Sequence, residues 1–243
     1  ATDLIKKSKQ PLIISGGGVL YSEAEKELSN FASKHNIPVV QTVMGFGSML
    51  RDDPYNIGPV GGLGGRAAND IAKKTDLVLA IGTKLADFTT GSWANFENPN
   101  FKLICVNTTR LDANKHLAQP VVSDAKIGMQ KISEQLGKWK SENVWINEAR
   151  EGYKKWNEYI DQQIAPTNQE TPSYAQVIGA VYKHTDPTDI AVTAAGGLVG
   201  EVLQVWRPRS LNTYETEWGF SCMGYEIAGA MGIKMAKPDQ DVI

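Results

Sequence analysis

The sequence predicts an α/β protein: a central doubly wound parallel-sheet domain, followed by the first part of a second α/β domain. Three observations carry that reading. Short apolar runs alternate with segments of helical periodicity along most of the 243 residues, the pattern of parallel strands joined by right-handed crossover helices. The first such run, Pro11-Leu-Ile-Ile-Ser15, opens directly into Gly16-Gly17-Gly18, a tight turn between strand and helix. A polar stretch with prolines at both ends, Ala165 to Pro172, then separates this pattern from a second cycle of the same kind.

The elements follow in order. After the glycine turn, Ser22 and Glu25 are spaced as a capping box, and Ala24, Leu28, Phe31 and Ala32 share one helical face. Ile37 to Val43 reads as the second strand. Met44 to Gly65 is rich in glycine and proline and reads as a long loop. Arg66 to Lys74 is a helix, Asp76 to Ile81 and Phe101 to Val106 are strands, and Pro120 to Ser123 with the helix Lys126 to Trp139 closes the unit. Residues 1–140 are therefore expected to form a central Rossmann-like domain.

Residues 141–168 hold a long amphipathic connecting helix, with Trp145, Ala149, Trp156 and Ile160 on one stripe, and then the polar linker. Residues 169–243 begin the second domain: a helix from Ser173 to Lys183, a strand at Asp189 to Thr193 and a turn at Gly196-Gly197. A helix from Val199 to Trp206, a strand near Leu211 to Glu215 and a helix from Met223 to Met235 follow. The last residues, Asp241-Val-Ile243, read as the opening of another strand, so a partial chain is expected.

Composition narrows the function classes. Hydrophobic residues make up 42% and charged residues 21%, an ordinary globular balance. The net charge of −2, with no Lys/Arg cluster, offers no field to hold nucleic acid. No apolar run approaches the ~20 residues of a membrane helix. Two distant cysteines, Cys105 and Cys222, suit a reducing compartment rather than a disulfide framework. The expectation is a cytoplasmic protein acting on a small molecule.

Several constellations bear on chemistry. Gly16–Gly18 sits where a dinucleotide fingerprint would, but Tyr21 replaces its third glycine and the second strand carries Gln41 and Thr42 instead of a ribose-binding acid. A turn required by the fold is the better reading. Gly61 to Gly65 before a helix fits either a backbone nest for an anion or simple loop flexibility. His35, His116 and His184 lack acidic or thiol neighbours at ligand spacing, so no metal site is predicted in this chain. Gly219-Phe-Ser221-Cys-Met-Gly224 compares with a nucleophile elbow, yet its closing glycine comes one residue late, and no strained turn presenting Ser221 is expected.

Another pattern fits that bend. Gly224, Ala228 and Gly232 place small residues along one helix face, and a soft apolar side chain, Met223, stands directly before them. Asn212 to Glu226, read with Thr193 to Trp206, resembles the trihydroxycyclohexanedione hydrolases of myo-inositol catabolism, a branch of the thiamine-diphosphate enzymes. The Met223-Gly-Tyr core and Ala236-Lys-Pro-Asp239 are also similar to acetolactate synthases, and the run Glu215-Thr-Glu-Trp-Gly-Phe-Ser-Cys222 points to the inositol branch. The resemblance covers the whole chain.

It implies hydrolysis of a carbon–carbon bond in a cyclic polyhydroxylated dione, with thiamine diphosphate and Mg2+ as cofactors and a homodimer or homotetramer as the working form. Acetolactate-type carboligation and non-catalytic nucleotide binding are the alternatives. The resemblance further implies that Met223 props the thiazolium, and that the Ser221 carbonyl and Met223 amide bond the aminopyrimidine edge, with Cys222 between them. Gly197, Leu198 and Val199 fall at the diphosphate, where related enzymes carry Gln and His. Leu198 and Val199 offer only backbone amides there. Glu215, Glu217 and Trp218 are candidates for reaching the ring. No catalytic residue is expected in this chain: the activating glutamate is expected upstream of Ala1, and the metal ligands after Ile243.

Overall fold

In the computed structural model, which describes residues 1–243, the first apolar runs become six strands of one sheet. They are β1 (Pro11–Ser15), β2 (Val39–Gln41), β3 (Asn56–Pro59), β4 (Leu77–Ile81), β5 (Lys102–Asn107) and β6 (Gln119–Val122). Every pair is parallel and the spatial order is β3-β2-β1-β4-β5-β6. The winding direction reverses between β1 and β4, which opens a crevice at the carboxyl ends of those two strands.

The strands are apolar on both faces because both faces are covered. Ile13, Leu79 and Ile104 face one cluster, completed by Ile5 of α1 (Thr2–Lys7), Leu28 and Phe31 of α3 (Glu25–His35) and Met129 of α7 (Ala125–Leu136). Their neighbours Leu12, Ile14, Val78, Ala80 and Cys105 face the other, under Ala68 and Ile71 of α4 (Arg66–Lys74) and Trp145 of α8 (Asn143–Gln163). Each fully buried side chain of this size contributes about 2 kcal/mol. Short helices α2 (Gly17–Tyr21), α5 (Asp87–Thr90) and α6 (Arg110–Asn114) follow β1, β4 and β5.

Four local expectations are corrected. Ser22 does not cap α3; it lies after α2, and its hydroxyl donates to Asp124 at 2.6 Å, while the chain enters α3 through Ala24. The second strand ends at Gln41, where Thr42 caps a 3-10 turn over Val43–Gly45. The long loop contains the edge strand β3, held by the Asn56 side chain, which accepts from Gln41 and donates to the Met49 and Leu50 carbonyls. The last helix, α11 (Tyr225–Ala236), starts two residues late, because Gly224 at φ 93° caps it.

Helix α8 bridges the two units. Its first half packs on the first sheet, where the Trp145 indole donates to the Pro11 carbonyl at 2.8 Å. Its second half places Ile160 among Val199, Leu203 and Trp206, and Val43 and Phe46 of the first unit join the same cluster. Arg207 reinforces the joint, donating to Asp161 at 2.6 Å and to the Asn157 carbonyl at 3.2 Å.

The second unit comprises α9 (Tyr174–Lys183), β7 (Ala191–Thr193), α10 (Gly197–Val205), β8 (Tyr214–Thr216) and α11. A capping box of Ser173 and Gln176 starts α9. β7 and β8 pair in parallel, and Val242 bridges Ile190 in parallel on the other side, so the terminal Asp241-Val-Ile does take a strand-like place.

Candidate functional site

β7 and β8 end in register at Thr193 and Thr216, so the segments that follow leave the same edge of the second sheet. That edge is rigid. The Tyr214 hydroxyl lies 2.7 Å from Thr193 Oγ1, and burial pushes its pKa up to about 12. One segment runs through Gly196, at φ 98°, into α10. The first amides of that helix, at Gly197, Leu198 and Val199, have no main-chain acceptor, as at any helix start. A Cβ at Gly196 or Gly197 would meet nothing within 4 Å, so the space before the helix is open. Val199 is buried and Leu198 is 48% exposed, so of the two side chains only Leu198 reaches that space.

The other segment is the bend from Glu217 to Gly224. The Glu217 N–H is 3.3 Å from the Thr193 carbonyl, which keeps the start of the bend on the sheet. Its carboxylate then reaches forward and accepts from the Phe220 N–H at 2.9 Å and the Cys222 N–H at 2.7 Å. The Gly224 N–H donates to Glu226 at 3.0 Å. Ser221 has φ 51°, a left-handed conformation uncommon outside glycine. Met223 follows with 86% of its surface exposed, which excludes a place in this chain's core. The Met223 N–H and the Ser221 carbonyl make no hydrogen bond within the chain.

The acids around the bend differ. Backbone N–H groups of Cys222 and Phe220 hold the Glu217 carboxyl below the usual range. Desolvation raises Glu215, against the opposing bonds from the Thr216 backbone and the Tyr225 hydroxyl. Tyr225 is raised as well, by desolvation and by the nearby charges of Glu215 and Glu217.

Trp218 turns away from the bend and meets Phe88 edge-on. It thereby closes one side of the switch-point crevice, a cavity of about 690 Å3 lined by Gly17, Thr83, Asn107, Thr109 and Ser123, among others. Two of the three amides of the glycine turn are committed to the main chain. Gly16 N–H donates to the Ile81 carbonyl and Gly18 N–H to the Gly82 carbonyl, both at 2.9 Å. A Cβ on Gly18 would stand 2.6 Å from Gly82 Cα, so these glycines serve close backbone packing. The second glycine cluster is likewise committed: Gly61 N–H donates to Asn69 Oδ1, Gly62 N–H to the Phe88 carbonyl, and Gly65 N–H to the Pro59 carbonyl. Neither cluster presents a nest for a phosphate.

The strained turn at Ser221, which the late glycine argued against, is present. It lacks a base. His184 bonds the Ala180 carbonyl, His116 packs against Trp93, and His35 is buried between Trp139 and Ser133. The Cys105 thiol is pushed up to about 11 by burial and stays protonated. No three His, Cys, Asp or Glu side chains group as metal ligands, and no helix is long and apolar enough to cross a membrane.

Sequence reasoning placed Gly197–Val199 and Ser221–Met223 in separate motifs, and the parallel pairing brings them to one sheet edge. It missed Glu226 and the crevice. The spacing of an acid with amides three and five residues on, Glu217 to Phe220 and Cys222, was the available signal for the way the bend is held.

Comparison with known proteins agrees with this layout. The family model for the thiamine pyrophosphate enzyme central domain matches residues 1–132, and that for the C-terminal TPP binding domain of thiamine pyrophosphate enzymes matches residues 194–243. A curated protein of Geobacillus thermodenitrificans, named 3D-(3,5/4)-trihydroxycyclohexane-1,2-dione hydrolase, is 37% identical over 265 residues, covering 100% of this chain and 41% of its own length. Proteins of the same name from Clostridium tetani and Clostridium botulinum are 35% and 36% identical, covering 100% and 99% of this chain. The chain spans 41% of the length of each of these relatives.

Proposed function

The chain belongs to the thiamine pyrophosphate enzymes, and from that premise we propose that it is part of a hydrolase that opens the ring of a trihydroxycyclohexane-1,2-dione to an open-chain deoxy-glucuronate. The observation that carries the reading is the bend before α11. It holds Met223 outward, with the Met223 N–H and Ser221 carbonyl unbonded, at the same sheet edge as the free amides of Gly197 to Val199. The names of the relatives supply the substrate.

The residues present fit thiamine diphosphate. The start of α10 offers unpaired N–H groups and the positive end of the helix dipole to an anionic diphosphate, with open space before Gly196 and Gly197. Met223 supplies a flexible apolar wedge, and the Ser221 carbonyl and Met223 N–H supply an acceptor and a donor for a heteroaromatic edge. When bound, the cofactor supplies a nucleophilic carbon and an electron sink. The residues present do not fit magnesium: no cluster of acidic ligands exists among them, and no role in this chain is assigned to that metal.

A 1,2-dione suits the reaction, since hydration of one carbonyl lets it leave as a carboxylate when the bond to its neighbour breaks. Glu215, whose raised carboxyl can hold a proton closer to neutrality, is a candidate contact for the ring, with Trp218 beside it; both oxygens of Glu217, the third candidate, are taken by the Phe220 and Cys222 amides. The whole protein is taken to be a cytoplasmic homodimer or homotetramer. Free Cys105 and Cys222 suit a reducing compartment.

The test is incubation of the full-length protein with the dione, thiamine diphosphate and magnesium. One equivalent of acid should appear for each dione consumed. Condensation of pyruvate to acetolactate with the dione untouched would replace this reading with a carboligase.

A further inference from the structure

We propose that Glu217 is a positioning residue, a carboxylate clamp that fixes the Phe220–Cys222 backbone so that Met223 and the Ser221 carbonyl stay open toward the cofactor. The inference rests on the function proposed above, and deepens it by naming what shapes the site.

Glu217 is the last residue still tied to the sheet, through its N–H and the Thr193 carbonyl. Beyond it the bend has almost no main-chain support: the only main-chain hydrogen bond within residues 218–225 runs from the Tyr225 N–H to the Cys222 carbonyl, at 3.2 Å. The missing support comes from two carboxylates. Glu217 takes the Phe220 and Cys222 amides on separate oxygens from one flank, and Glu226 takes the Gly224 amide from the other. Three alternate amides thus have carboxylate partners, and the intervening Ser221 and Met223 amides stay unbonded.

One feature shows that the bend is held against its own preferences. Ser221 sits at φ 51°, a conformation that persists only where surroundings determine it. The carboxylate takes the two amides on separate oxygens, at 2.9 and 2.7 Å, and its charge strengthens both bonds, which a neutral carboxamide would not. The lowered pKa of Glu217 agrees with this use of the charge.

The test compares the full-length enzyme with Glu217→Gln and Glu217→Ala. Without cofactor, amide hydrogen exchange in the peptide covering residues 218–225 should quicken severalfold in both variants and stay unchanged elsewhere. Thiamine diphosphate should bind roughly tenfold more weakly, as for loss of a charge-assisted hydrogen bond. Turnover should fall while the KM for the dione holds within about twofold, since the carboxylate acts on the backbone and not on the ring. Unchanged exchange in residues 218–225 would overturn the clamp. Faster exchange with unaltered cofactor affinity and turnover would overturn its positioning role. A wild-type enzyme indifferent to thiamine diphosphate would overturn the function proposed above, and the exchange rates alone would then decide whether Glu217 holds the bend.

Discussion

Trp218 stands edge-on to Phe88, with ring centroids 5.2 Å apart and planes at 81°. The pair joins the bend of the second unit to the helix after β4, so the first sheet helps to aim a segment it does not contain. Such a contact is worth about 1 kcal/mol. Phe88 is 54% exposed, so little else depends on it. Phe88→Ala in the full-length enzyme should therefore lower stability by about 1 kcal/mol and lower turnover by a larger factor. Parallel urea melts and kcat measurements check this, and normal kcat with a several-kcal/mol loss would refute it.

Met223→Ala separates a prop from a core side chain. Truncating a buried methionine typically destabilises by about 2–5 kcal/mol. At 86% exposure the substitution should change stability by less than about 0.5 kcal/mol. Cofactor affinity and turnover of the full-length enzyme should both drop. A large stability loss with normal turnover would place Met223 in a packing role.

Gly18→Ala tests the reason for the first glycine turn. The added Cβ would stand 2.6 Å from Gly82 Cα, backbone that cannot rotate aside, so a loss of about 2 kcal/mol or more is expected. Gly152→Ala is the contrast. It lies inside α8 with nothing within 4 Å of its Cβ position, and it should gain about 0.5–1 kcal/mol from helix propensity. Denaturation midpoints of the two variants decide the matter, and a neutral Gly18→Ala would contradict the close-packing account.

His35 predicts a pH dependence of stability. Desolvation lowers its pKa below the ordinary histidine value of 6.5, with Lys34 and Lys140 adding to the shift and the bond to the Trp139 carbonyl opposing it. Between the folded and unfolded values the unfolded chain binds more protons, so stability rises with pH. The contribution is complete above 6.5 and is lost as pH falls through the folded value. Melting temperatures between pH 7 and 5 should decline more steeply for the wild type than for His35→Gln. Parallel curves would remove His35 from the account.

Much of the fold was legible because parallel strands buried on both faces leave a strong local mark. Arg66–Lys74 begins and ends where its pattern does, and β4 and β5 lie within a residue of their apolar runs. The strand β3 was not legible. Within Asn56–Pro59 only Ile57 is a large apolar residue, and the segment pairs because Gln41 and the Asn56 side chain complete its hydrogen bonds. The Ser22–Glu25 spacing misled for the complementary reason: a partner 102 residues away, Asp124, took the serine hydroxyl.

By itself the sequence determined the alternation of strands and helices, the break after α8, and the Met223-Gly-Tyr bend ahead of a small-residue helix face. These are properties of neighbours in the chain, set by periodicity, backbone permissiveness and side-chain volume. Only the tertiary structure decided where polar groups point. The amides of Gly16 and Gly18 turn to the carbonyls at the end of β4, and Glu217 turns to the amides of the bend. Hydrogen bonds are directional and short, so whether an amide faces a ligand or a carbonyl depends on ångström-scale placement of distant backbone, which composition and spacing do not encode.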